Sequence, residues 1–230
     1  MLDNIERIKR IANALGELGD KVVFVGGCVV QLYSDSENEA DIRPTADVDC
    51  VVDLSSYKDY CDFCEQLRTR HFSNDITPGA PICRWTFEDE LIDFMPREDS
   101  PIGASNRWYS PGLCHRIVYE ISEGIFIRIF PIIYYVGTKL EAILSRGGTD
   151  LRFSHDFEDL IYVLNYSKVF IDEFRASDDI ELKIYFKEQF TWLLHRDNIR
   201  EEIECALPYG EAARTHYILD IFQSVSAETP

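Results

Sequence analysis

No apolar run in the sequence approaches the roughly 20 residues that a membrane-spanning helix needs. Its start, Met1-Leu2-Asp3-Asn4-Ile5-Glu6, lacks a secretory-signal pattern. Basic charge is scarce, with 23 Lys and Arg against 41 Asp and Glu and a formal net charge of −18 at pH 7. Proteins that grip nucleic acid over a long stretch draw most of their affinity from Lys and Arg on phosphates. Extended nucleic-acid binding is therefore not expected, whereas a contact with an RNA end, a nucleotide or a basic protein partner stays open. Repeats and low-complexity segments are absent. Cys61-x-x-Cys64 has no second pair to complete a zinc site, and its helical surroundings, Tyr57 to Phe72, make these core cysteines. Seven cysteines, an odd number without a secretory pattern, read as reduced thiols of a cytoplasmic protein.

At 230 residues and 46% hydrophobic, the chain can bury one good core or two small ones. Its organising stretch runs from Val22 to Asp53. Val22-Val23-Phe24-Val25 is an apolar β-type run that ends in Gly26-Gly27 and opens a short helical run, Cys28 to Tyr33. Two glycines let backbone N–H groups approach a phosphate without Cβ interference, and a helix N-terminus adds partial positive charge. A plain tight turn explains Gly-Gly equally simply. Further on, Asp47-Val48-Asp49 opens a second strand. Side chains alternate along a strand, so Asp47 and Asp49 share a face and repel unless a cation lies between them. Mg²⁺ needs only one or two protein carboxylates when a substrate supplies phosphates. A Gly-Gly turn followed by Asp-x-Asp resembles the signature of the DNA polymerase β nucleotidyltransferase superfamily. The gap from Cys28 to Asp47 is longer than in compact members, and an inserted loop costs little closure entropy.

The flanking elements follow from periodicity. Leu2 to Leu18 carries a helical stripe ended by Gly19. Ser55 or Ser56 caps a helix to about His71, and Thr77 to Pro81 is a turn. Ile82–Phe87 and Glu90–Met95 read as a hairpin around Glu88-Asp89. Asp93 stands there among apolar neighbours, either as a buried carboxylate held by a backbone or Arg partner or as a third site carboxylate. Pro96 to Tyr109 is a long loop. Within it, Arg107 beside Trp108 and Tyr109 reads as a phosphate or base contact with stacking surface, or the two rings anchor the loop on the core. Leu113–Ile121 and Ile125–Phe130 make another hairpin. Helices follow over Ile132–Leu144, from Ser154 onward, from Ser177-Asp178-Asp179 to about His195, and over Arg196–Ala206 and Tyr209–Phe222. The tail from Ser224 is expected to fray.

Lys139-Leu140-Glu141-Ala142-Ile143-Leu144-Ser145-Arg146-Gly147, then Asp156-Phe157-Glu158-Asp159-Leu160, resembles the abortive-infection (AbiEii/AbiGii toxin-like) nucleotidyltransferases. Arg43 to Asp49, the Ile92-Asp93 strand and Ser105 to Tyr109 fit the same family, so the likeness runs in order from about Val22 to Leu164. It implies an α/β (α+β) nucleotidyltransferase core over residues 1–130, with a mixed sheet flanked by helices. A helical region, 131–230, would close the active-site cleft. The implied activity is metal-dependent transfer of a nucleoside monophosphate from an NTP to a hydroxyl. Asp47, Asp49 and Asp93 would hold Mg²⁺ or Mn²⁺, with Asp93 serving the attacking hydroxyl. Gly26, Gly27, Cys28, Arg43, Thr45, Lys139 and Asp156 would hold the nucleotide. Cys28 replaces the Ser common after the Gly pair, which leaves phosphate contact there to the backbone N–H. Lys139 would meet the triphosphate; without the family it is an ordinary exposed helix lysine. Asp156 would orient Lys139 or the nucleotide, or is simply an N-terminal helix carboxylate beside the cap Ser154. His155 has no role. The implied acceptor is a tRNA 3′ end or a protein side chain, with a toxin or phage-defence role and a possible cognate antitoxin. A small-molecule acceptor, as in antibiotic nucleotidyltransferases, and an inactive antitoxin-like binding module are the alternatives.

Overall fold

The computed structural model describes residues 3–35, 42–54, 56–98, 100, 103 and 105–228. The expected cap Ser55 and part of the loop after Pro96 lie outside these residues. The chain divides into two compact units, Met1–Val29 with Arg43–Tyr134, and Val30–Ile42 with Tyr135–Pro230.

The first unit is built on a mixed seven-stranded sheet flanked by helices. Its strands are β1 (Val22–Val25), β2 (Val48–Val52), β3 (Ser73–Asn74), β4 (Arg84–Phe87), β5 (Glu90–Pro96), β6 (Ile117–Ser122) and β7 (Ile125–Ile129), in the order β3-β4-β5-β2-β1-β7-β6. β2 runs antiparallel to β1 and parallel to β5, and β7 runs parallel to β1. Helix α1 (Asn4–Leu15) is capped by Asp3, whose carboxylate accepts from the Ile5 N–H at 3.4 Å. It stops at Gly16, where φ is +52°, earlier than the periodicity predicts. Gly16–Lys21 then tightens into a 3-10 turn, whose three-residue repeat keeps Leu18 buried below Leu15 and so prolongs the apolar stripe past the helix itself. Helix α2 (Tyr57–Thr69) is capped by Ser56 and packs Phe63 edge-on against Phe94 at 5.4 Å. Burying such a ring is worth on the order of 2–3 kcal/mol.

Partners in register share a face, so Phe94, Cys50 and Phe24 lie on the face that meets α2. Asp49, Asp93 and Arg84 therefore project from the opposite face. The predicted strand from Leu113 begins later, because Leu113 belongs to the short helix α3 (Tyr109–Cys114), where Gly112 lies hard against the Phe130 ring. Six residues are too few for a period to declare itself. Trp108 and Tyr109 are buried, which settles their two readings in favour of a core anchor, with the Arg107 guanidinium 5.1 Å from the Trp108 ring.

The second unit is helical. It contains most of α4 (Ile132–Arg146), then α5 (His155–Tyr166), α6 (Phe170–Ala176), α7 (Ile180–Leu194), α8 (Ile199–Ala206) and α9 (Thr215–Ala227). Ser154 caps α5 and Asp179 caps α7, as their positions predict. The core is aromatic, with Phe170, Phe174, Phe186, Phe190 and Phe222 in a continuous chain of ring contacts. α6 has no counterpart among the helices expected from periodicity. α9 starts later than expected and runs on through Ser224 to Ala227, because Val225 is fully buried and holds the last turn down; the expected fraying from Ser224 is corrected accordingly. Among the described residues no helix is long and apolar enough to cross a membrane.

Candidate active site

In the first unit, Asp49 stands in register with Asp93 across the parallel β2–β5 pair, and Asp47 lies two residues before Asp49 at the entry to β2. In-register residues on neighbouring strands are about 5 Å apart, so three carboxylates gather on one face of the sheet. Gly26 closes the other side. Its φ of +73° is open to glycine without strain, and a Cβ there would lie 2.0 Å from Asp49 Oδ2. The space that the missing side chain leaves is thus filled by the Asp49 carboxylate.

Arg84 supplies the positive charge. It sits opposite Asp93 in the β4–β5 hairpin, donating from Nε to Asp93 Oδ1 at 2.8 Å and from Nη2 to Asp93 Oδ2 at 2.7 Å. The same Nη2 reaches Asp47 Oδ2 at 2.8 Å. Hydrogen bonding to Asp93 above all, with the Asp93 and Asp47 charges, raises the Arg84 pKa further above its already high value. Of the two readings of Asp93, the Arg partner is therefore present. Below the cluster, burial first, then Cys28, Asp49 and Asp93, push the Cys50 thiol well up. Burial, then Asp93, pushes Cys83 up to about 11.

The approach to Asp47 is held from behind by α1. Arg7, 5% exposed, donates to Glu90 Oε2 at 2.5 Å, to Thr45 O at 2.7 Å, to Thr45 Oγ1 at 3.0 Å and to Ala46 O at 3.3 Å. Asn4 donates to Arg43 O at 3.4 Å, and Thr45 Oγ1 donates to Asp47 O at 2.7 Å. Thr45 is thus a buried link that fixes the backbone leading into Asp47. Gly27 begins a 3-10 turn, Gly27–Tyr33, in which the buried Cys28 thiol donates to Val25 O at 3.1 Å.

The second unit also holds a charged cluster. Lys139 is 4% exposed, which corrects the reading of it as an ordinary exposed helix lysine. Its Nζ donates to Asp159 Oδ2 at 2.6 Å and to Asp156 Oδ1 at 3.2 Å. Arg146 also donates to Asp156, from Nε to Oδ2 at 2.7 Å and from Nη2 to Oδ1 at 3.1 Å. Burial alone would raise the Asp156 carboxyl, but the Arg146 hydrogen bonds and the Lys139 charge outweigh it and hold it below the usual carboxylate range. Asp156 is at once a first-turn helix carboxylate and the partner of Lys139. His155 is exposed, 3.4 Å from Glu158.

Sequence motifs do not single out Arg84, Arg7, Asn4 or Glu90, and the Asp156–Leu160 motif includes Asp159 without giving it a role, although signals for several exist. A hairpin turning at Glu88-Asp89 pairs Phe87 with Glu90, which places Arg84 opposite Asp93. Asp156 and Asp159, three apart on a helix, share a face, as do Lys139 and Arg146 two turns apart.

The donor chemistry of Asp47, Asp49 and Asp93 suits a hard divalent cation. Among the described residues, however, no group of three or more His, Cys, Asp or Glu is arranged to hold one. Arg84 meets both oxygens of Asp93 and one of Asp47.

No family model matches the chain, and no curated protein matches it. Among solved structures it is similar to an antigenic nucleotidyltransferase-like protein from Paracoccidioides brasiliensis, at 15% identity, with 91% of this chain and 96% of that chain covered and a TM-score of 0.48.

Proposed function

We propose that the chain is a nucleotidyltransferase that moves a nucleoside monophosphate from an NTP to a hydroxyl acceptor and releases pyrophosphate. The observation that carries this reading is the register of Asp49 with Asp93 on adjacent parallel strands, with Asp47 on the same face and the Gly26-Gly27 turn alongside. Strand alternation alone would leave two carboxylates; the β2–β5 pairing adds the third. Asp47, Asp49 and Asp93 would hold Mg²⁺ or Mn²⁺, which when bound stabilises charge on the attacking and leaving oxygens of the phosphoryl transfer. The chain's own part is to keep these carboxylates close and oriented. Gly26 lets Asp49 lie against the backbone, and Arg7 and Thr45 hold the segment that carries Asp47. The Gly27 turn offers backbone N–H groups to phosphate oxygens. The resemblance to the AbiEii/AbiGii toxin-like enzymes extends the proposal to a tRNA 3′ end or a protein side chain as acceptor, to a toxin or defence role, and to a cognate antitoxin.

The test is incubation with each α-³²P-labelled NTP, Mg²⁺ or Mn²⁺ and a total cell extract. Label is expected in one class, RNA, protein or small molecule, and is expected to vanish with Asp49→Ala. Absence of label from every NTP with either metal sinks the transferase reading. One observation favours a second reading: Arg84 already neutralises Asp47 and Asp93, as a metal-free nucleotide- or partner-binding module would require. Calorimetric titration of the four NTPs separates the two, because tight binding without metal belongs to the module.

A further inference from the structure

We propose that Arg84 is a resident counter-ion that a divalent cation must displace, so that this side chain sets the metal concentration at which the site assembles. The inference rests on the transferase reading above. Its basis is the use of carboxylate oxygens. Arg84 Nε and Nη2 occupy Asp93 Oδ1 and Oδ2 in a two-pronged contact, and Nη2 is shared with Asp47 Oδ2. A guanidinium fork matches a carboxylate in two places at once, which a single ammonium cannot do. The Asp93 side chain is 11% exposed and that of Arg84 22%, so the pair is partly shielded from solvent screening. Three of the six oxygens that these carboxylates could offer a metal ion are already hydrogen-bonded to Arg84, whose positive charge also opposes a cation's approach. Displacement is feasible because Arg84 lies at the start of a four-residue strand and retains solvent access, unlike Arg7, whose side chain is 6% exposed and braced by four hydrogen bonds.

The experiment uses the full chain and Mn²⁺, whose free form is read directly by electron paramagnetic resonance. Arg84→Gln is expected to bind Mn²⁺ at least tenfold tighter than wild type. Arg84→Lys, which keeps the charge but cannot hold both Asp93 oxygens and Asp47, is expected to bind a few-fold tighter. In the wild-type protein, phenylglyoxal labelling of Arg84, followed by mass spectrometry, is expected to rise when Mn²⁺ is added, since the released guanidinium faces solvent. The labelling arm keeps the test decisive if Arg84→Gln fails to fold. Equal or weaker Mn²⁺ binding by the folded variants, or unchanged Arg84 labelling in wild type that does bind Mn²⁺, overturns the counter-ion role and leaves the metal site standing. No Mn²⁺ binding by wild type or variant overturns the metal site and this inference together.

Discussion

Replacing Gly26 by alanine tests the cradle most directly, because two separate costs can be worked from the geometry. The first is conformational. At φ +73° an alanine sits in the left-handed region, at a cost of about 1–2 kcal/mol. Reduced freedom of the unfolded chain returns about 0.4–1 kcal/mol. The second cost is steric. The new Cβ would stand 2.0 Å from Asp49 Oδ2 and 2.8 Å from Asp49 Cβ and Cγ, so the carboxylate must leave its place. Overpacking of that kind costs about 1–3 kcal/mol. The sum is roughly 2–4 kcal/mol. Gly79 provides the control, being in the same unit at φ +89° with nothing within 4 Å of the point where a Cβ would stand. Gly79→Ala bears only the first cost, about 1 kcal/mol. Urea unfolding followed by tryptophan fluorescence measures both, since Trp85 and Trp108 are buried in this unit. Labelling of the acceptor is expected to disappear in Gly26→Ala and to persist in Gly79→Ala. Equal stability losses in the two variants would refute the reasoning, because the steric part would then be absent.

Lys139→Met is expected to cost about 3–5 kcal/mol, since it leaves Asp159 buried without its ammonium partner. Urea unfolding checks this, and adding Asp159→Asn to the same chain is expected to recover part of the loss; purely additive losses would show that the pair is not coupled. The depressed Asp156 pKa makes a stability contribution that is complete above the ordinary Asp value of about 3.9 and is lost as pH falls through the lower native value. The stability difference between wild type and Asp156→Asn is therefore expected to be flat above about pH 5 and to shrink below about pH 4; a difference independent of pH would contradict the assignment. Cys61, Cys114 and Cys205 are exposed, Cys61 contrary to its expected place in the core, while Cys28, Cys50, Cys64 and Cys83 are buried. A thiol reagent is therefore expected to modify three cysteines quickly and all seven only after unfolding, and rapid modification of Cys50 would show that the site floor is open.

Local chemistry in the sequence alone determined much of this protein. The apolar stripe of α1, the caps Ser56, Ser154 and Asp179, and the helices α4, α5 and α7 follow from spacing and capping, which act over a few residues. The common face of Asp47 and Asp49 follows from strand alternation, and the Arg84–Asp93 pairing was within reach once the hairpin turn was placed. The short helices α3 and α6 were beyond it, having only six and seven residues in which to show a period. Only the tertiary structure decided that β5 lies parallel beside β2 and brings Asp93 to Asp49, a pairing across 44 residues that no local pattern encodes. It also decided that the Gly26 cradle holds a carboxylate of the chain itself, and that Lys139 is buried between Asp156 and Asp159. A lysine on a helix reads as exposed until the packing of another helix removes water from it and obliges its charge to find partners.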